Sequence, residues 1–190
     1  MSKTFTQDET FQSISFIENA LSIGEYENCT FINCIFSNSN LSNVTFVDCV
    51  FQQCDLSLAK VANTAFKDIK FKECKLLGVR FEDCNKFGFA TIFENCQLNL
   101  STFYKLNLKN SKFKHCSLQE VDFVEADLTN LNFDNCDLLG AKFESTILEK
   151  VDFRTANNFA LDPEKNRIKK AKFSMTNIAG LLDKYNIVIE

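Results

Sequence analysis

The sequence predicts an all-β solenoid, short extended segments wound in stacked coils around one apolar core. Three observations predict it: an apolar residue at every fifth position, a small residue two places before each, and identical residues recurring every 20 positions. A chain of 190 residues is long enough for one such core and short for two domains.

The five-residue period runs Phe11, Phe16, Leu21, Tyr26, Phe31, Phe36, Leu41, Phe46, Phe51, Leu56, Val61, Phe66, Phe71, Leu76 and Phe81. It slips by two residues and resumes at Phe93, Leu98, Phe103, Leu108, Phe113, Leu118, Phe123, Leu128, Phe133, Leu138, Phe143, Leu148 and Phe153. Neither a helix of 3.6 residues per turn nor a strand of period two sustains such spacing. The period accounts for most of the 21 Phe in a chain that has no Trp.

Two positions before each centre the side chain is small. All nine cysteines keep that phase (Cys29, Cys34, Cys49, Cys54, Cys74, Cys84, Cys96, Cys116 and Cys136), Cys84 where the first run meets the slip, beside residues such as Ala59, Thr64, Val79, Ser101 and Ala126. Residues two apart on an extended segment face the same way, so each unit turns one small and one large side chain inward. The cysteines therefore read as small buried hydrophobes. Their odd number, the lack of any CxxC pair and a single histidine, His115, argue against a disulfide framework or a zinc site. Four units make a 20-residue coil, because Phe93, Phe113, Phe133, Phe153 and Phe173 form one column and Leu98, Leu118 and Leu138 another.

The repeats Ala126-Asp127-Leu128-Thr129-Asn130, Cys136-Asp137-Leu138, Val121-Asp122-Phe123, Val151-Asp152-Phe153 and Ser39-Asn40-Leu41-Ser42-Asn43 resemble the A(D/N)Lxx consensus of the pentapeptide-repeat proteins. The resemblance covers about residues 9–155 and implies a right-handed quadrilateral β-helix of about seven coils. At ~4.8 Å per layer that is a rod ~34 Å long.

In chain order, residues 1–8 read as an N-terminal tail, 9–84 as the first β-helix segment and 85–91 as a register break. Residues 92–155 read as the second segment and 156–190 as a C-terminal loop, final strand and short helix. The break contains Gly88 and two aromatics outside the core phase, Phe87 and Phe89, which form either a repacked bulge or a recognition bump. Beyond Pro163, Lys169 to Phe173 reads as one more strand edge, and Ile178, Leu181, Leu182 and Tyr185 have amphipathic helix spacing. With Ile187, Val188 and Ile189 they would cap the last coil and form a two-fold contact.

The layout NNFALDPEKNRIKKAKF…GLLDKYNIVIE resembles the tails of Qnr-type quinolone-resistance and McbG-type microcin-immunity members of the family. That resemblance implies a homodimer through the tail and a DNA-like rod that binds DNA gyrase or topoisomerase IV.

A net charge of −4 argues against direct nucleic-acid binding. No GxSxG, HExxH, GxGxxG or P-loop motif occurs, so no catalytic residue, cofactor or metal is expected. No secretory pattern and no apolar run of ~20 residues is visible, and a cytoplasmic, non-membrane protein is expected. Charges lie in bands. Lys60, Lys67, Lys70, Lys72, Lys75 and Arg80 form a basic-leaning belt, and Lys105, Lys109, Lys112 and Lys114 another. Between Lys114 and Lys142 every charge is acidic: Glu120, Asp122, Glu125, Asp127, Asp134 and Asp137. These six, with Phe87 and Phe89, are the expected partner-binding residues. The alternative is an interaction scaffold for a partner other than a topoisomerase.

Overall fold

Every coil turns the same kind of residue inward, so the chain closes on itself as a four-sided tube. The computed structural model describes residues 4–188; Ile189, assigned above to the tail contact, lies outside them. Its strands are β1 (Thr4–Gln7), β2 (Thr10–Gln12), β3 (Gly24–Glu27), β4 (Thr30–Ile32), β5 (Thr45–Val47) and β6 (Val50–Gln52). They continue with β7 (Ala65–Lys67), β8 (Ile69–Lys72), β9 (Thr91–Glu94), β10 (Lys112–Lys114) and β11 (Phe133–Asp134).

One seven-stranded sheet, β11-β10-β9-β8-β6-β4-β2, forms the first side and counts seven coils. On the second side, bridges run Ser15↔Ile35↔Asp55↔Lys75↔Gln97↔Ser117↔Asp137↔Asn157. The third side carries Asn40↔Lys60 and Arg80↔Thr102↔Asp122↔Lys142. A four-stranded sheet, β1-β3-β5-β7, forms the fourth side, continued by Asn107↔Asp127↔Ile147↔Arg167. All the pairings are parallel.

Inside the first side the column runs from Phe11 through Phe31, Phe51, Phe71, Phe93, Phe113, Phe133 and Phe153 to Phe173. Neighbouring rings stack with centroids 4.7 to 5.8 Å apart. Rings from adjoining sides meet edge-on, as in Phe93–Phe103 at 6.2 Å and 76°. Both arrangements suit the ring quadrupole and add about 0.5–1.5 kcal/mol per pair to simple burial.

The corners explain the outward Asn and Asp. The residue two after most centres has positive φ, among them Asn28, Asn33, Asn38, Asn43, Asp48, Asn95 and Asn130. Asn and Asp tolerate this left-handed region best after Gly. Leu100 sits there too, at φ 63°, in a turn closed by the Ser101 amide on the Leu98 carbonyl at 3.0 Å. Its side chain is exposed, so little burial is lost on replacement. Leu100→Asn is expected to stabilise the chain by about 1 kcal/mol, read as a rise in the thermal midpoint.

The register break is resolved on the fourth side. Ala65 pairs with Asn85 at the usual offset of 20, whereas Ile69 pairs with Thr91, and the chain rejoins through the Ala90 amide on the Phe66 carbonyl at 3.1 Å. Phe89 takes the vacant central position, edge-on to Phe66 at 6.4 Å and Phe81 at 6.1 Å. This corrects the reading of Phe89 as a residue outside the core. Phe87 is turned outward and is 81% exposed.

Two further expectations need correction. Thr4–Gln7, read as tail, is a strand paired with β3, Thr6 opposite Tyr26. The amphipathic helix is instead two 3₁₀ turns, Ile178–Leu181 and Asp183–Tyr185, ended by Asn186 at φ 48°. The reason lies at Gly180, whose carbonyl accepts the Leu161 amide at 3.0 Å and so does not serve a following α-helical turn.

Candidate protein-interaction surface

The carboxylate band encircles coils six and seven. Asp122 lies on the third side between the corner residues Glu120 and Glu125, both at φ 55°. Asp127 lies on the fourth side, Asp134 ends β11 on the first, and Asp137 lies on the second. Glu120, Asp122, Glu125 and Asp127 thus flank the side that carries Phe123.

Several of these carboxylates have local work. Asp122, Asp127 and Asp137 accept the amides of Val124, Thr129 and Leu139 at 2.8, 3.1 and 3.2 Å, closing their own turns. This Asx-turn bond is the physical reason for Asp or Asn in that repeat position. Glu125 pairs with Lys105 at 3.4 Å and accepts the Tyr104 hydroxyl at 3.0 Å. Asp127 pairs with Lys109 at 2.8 Å. Burial opposes ionisation of Asp127, but Lys109 and Thr129 outweigh it and hold its pKa below the usual carboxylate range. Glu120, Asp122, Asp134 and Asp137 have no basic partner among the described residues.

Of the two break aromatics, only Phe87 is available to a partner. Its amide bonds the Asn85 carboxamide oxygen at 3.0 Å, Gly88 follows at φ +72°, and the Lys67 ammonium lies 6.0 Å from the ring.

At the C-terminal end the LDPExNRI-like stretch is a clamp. Leu161 is buried, Asp162 and Glu164 hold the Lys184 ammonium at 2.7 and 2.8 Å, and the Asn166 amide donates to the Phe143 and Asp162 carbonyls at 2.9 Å. Asn177 donates to the Phe153 and Ala156 carbonyls of the last coil. Leu181 packs inward on the core, while Ile178, Leu182, Tyr185, Ile187 and Val188 face outward. A further apolar run was not legible from the period: Ile14, Ile17, Ile35, Leu58, Leu100 and Leu139 lie exposed on or beside the second side. Its only signal was apolar residues in outward phases.

All nine cysteines are free and buried. In the column Cys54, Cys74, Cys96 and Cys116, each thiol donates to the carbonyl of the previous coil's central Phe at 3.3 to 3.4 Å. Burial pushes the Cys49 and Cys84 thiols up to about 12. A native-state thiol titration at pH 8 is expected to register none of the nine cysteines, and one in denaturant all of them. Because those folded pKa values exceed the unfolded value near 9, their contribution is complete below pH 9 and is lost as pH rises towards 12. Among the described residues no three His, Cys, Asp or Glu side chains gather to hold a metal, and no helix is long and apolar enough to cross a membrane. A surface groove of about 390 Å³ lies between Asn40, Lys60 and Arg80.

A stacked four-sided coil with a polar exterior and an apolar interior defines a repeat protein of the solenoid class. The pentapeptide repeat region family matches residues 25–87 and 89–159, and the chain belongs to that family. HetL, a pentapeptide repeat protein involved in heterocyst differentiation regulation from the cyanobacterium Nostoc sp., is 14% identical with a TM-score of 0.57. That match covers 88% of this chain and 84% of HetL and shows a shared fold. QnrB1, a plasmid-mediated fluoroquinolone resistance protein, is 20% identical over 97% of this chain and all of its own, with a TM-score of 0.46. None of the curated proteins compared with the chain matches it.

Proposed function

We propose that the chain is a non-enzymatic interaction rod that docks on DNA gyrase or topoisomerase IV as a local stand-in for duplex DNA. The contact alters sensitivity to quinolone or microcin-type inhibitors. The observation that supports this reading is the charge density of the band. Duplex DNA carries one charge per ~1.7 Å of axis, so about three per ~4.8 Å coil. Residues 115–141 occupy little more than one coil, and Glu120, Asp122, Asp134 and Asp137 remain without basic partners there. The match is local, because lysines lie on either side, and it suits a basic DNA-binding groove by charge complementarity. The tail resemblance supports the same partner and a homodimer joined through the exposed Leu182, Tyr185, Ile187 and Val188.

Gyrase supercoiling titrated with a quinolone, with and without the protein, tests the reading. The protein is expected to shift the inhibitory concentration, and Glu120→Lys with Asp134→Lys to weaken the effect about tenfold. Absence of binding and an unchanged inhibitor response would sink it. Light scattering of Leu182→Asp/Val188→Asp is expected to report a monomer where the parent chain is a dimer; equal masses would remove the tail contact.

A further inference from the structure

The acidic band leaves a second set of charges unexplained, the lysines of the first side in coils four to six. On the first side, register places Lys70, Ile92 and Lys112 in one row and Lys72, Glu94 and Lys114 in the next. Lys67, its ammonium 6.0 Å from the exposed Phe87 ring, adjoins them at the corner with the fourth side, and the exposed Lys86 precedes Phe87 in the chain. None of these six lysines has a carboxylate partner among the described residues, although Asp68, Glu73, Glu94 and Asp134, which stands in register with Lys114, lie in the same region. The sheet holds the lysine stems at fixed spacing, ~6.6 Å within a strand and ~10 Å across two layers. Phe87 is held out by the Asn85 bond while Phe89, two residues on, is buried in the core.

We propose that this face docks an acidic, extended segment of a partner protein, with Phe87 as its apolar anchor. Carboxylates at alternate residues of an extended segment recur at ~6.6 Å, the spacing of Lys70 and Lys72. An exposed aromatic on a rigid support loses little entropy when it enters a partner's apolar pocket. A nucleic acid fits less well, because the basic region is short. Residues 4–59 hold Asp8, Glu9, Glu18, Glu25, Glu27, Asp48 and Asp55 without one Lys or Arg, and beyond Lys114 the carboxylate band begins, with Asp134 next to it on the same sheet. A phosphate chain running along the rod would leave the lysines for like charge within ~10–15 Å, about one Debye length at 0.1 M salt. This inference stands apart from the topoisomerase reading, since it uses the lysines and not the carboxylates, and a different assay.

The test is fluorescence anisotropy with the full chain and a labelled peptide that alternates Glu with Ser around one central Leu. An oligo-dT of equal nominal charge is the competitor class. The peptide is expected to bind at low salt and to lose at least about tenfold in affinity with Lys70→Glu/Lys112→Glu. Phe87→Ser is expected to cost about threefold, and Lys60→Glu, the same charge change on the third side, to cost nothing. The neutral pair Lys70→Gln/Lys112→Gln gives an intermediate loss and keeps the test valid if charge reversal alters the melting curve. No peptide binding, an equal loss with Lys60→Glu, or tighter binding of the oligonucleotide would each overturn the proposal. So would a rise in mass on light scattering that depends on Lys70 and Lys112, which would assign the face to a second copy of the chain.

Discussion

Phe113→Ala is expected to lower stability by about 3–5 kcal/mol, a large share of the about 5–15 kcal/mol that folded chains possess. The ring is 1% exposed and stacks between Phe93 at 5.0 Å and Phe133 at 5.8 Å. It also meets Phe103 and Phe123 edge-on at 5.7 and 6.1 Å. Truncation would open a cavity that these four rings, each held by its own coil, cannot collapse to fill. In a solenoid each coil contacts only its neighbours, so a defect at coil six also weakens the coupling between the two ends. Denaturant unfolding followed by circular dichroism should show a lower midpoint and a broader or split transition. Phe5→Ala, on a side chain 58% exposed in the first strand, is the internal control and should change little. A loss below about 1 kcal/mol for Phe113→Ala would contradict the picture of a continuous ring ladder.

Gly180→Ala is expected to cost about 1–3 kcal/mol and to loosen the C-terminal cap selectively. A Cβ at Gly180 would lie 2.2 Å from the Phe159 carbonyl oxygen and 2.8 Å from its ring. The backbone carbonyl is fixed by the coil, so the cap has to move. The bond from the Leu161 amide to the Gly180 carbonyl, at 3.0 Å, would lengthen, and the Asp162–Lys184 contact with it. Hydrogen exchange should then report lost protection at Leu161 and Asn177 while coils two to five remain protected. Uniform loss of protection would mean that the cap is coupled to the whole rod.

How much of this could be read from the residues alone differs sharply by level. The period placed Phe93, Phe113, Phe133 and Phe153 in one column, and the rings stack as that placement requires. The small phase predicted the cysteines' burial, because a position that accepts Cys, Ala, Ser and Thr describes a volume. The carboxylates were legible as residues but not as roles. Asp127 and Glu125 looked like free surface charges, yet their partners Lys109 and Lys105 come from the coil below, 18 and 20 residues away. Phe89 was misplaced for a similar reason. A two-residue insertion leaves two aromatics as rival occupants of one central position, and only closure onto Phe66 and Phe81 selects between them.

The sequence by itself determined the coil, its inward residues and the absence of any known catalytic motif. These follow from a period repeated so many times that local preference and core packing point to one answer. The tertiary structure alone decided which charges stay unpaired, which aromatic faces outward and how the tail lies on the last coil. Each of these depends on a single contact between neighbouring coils, and a single contact leaves no period to read.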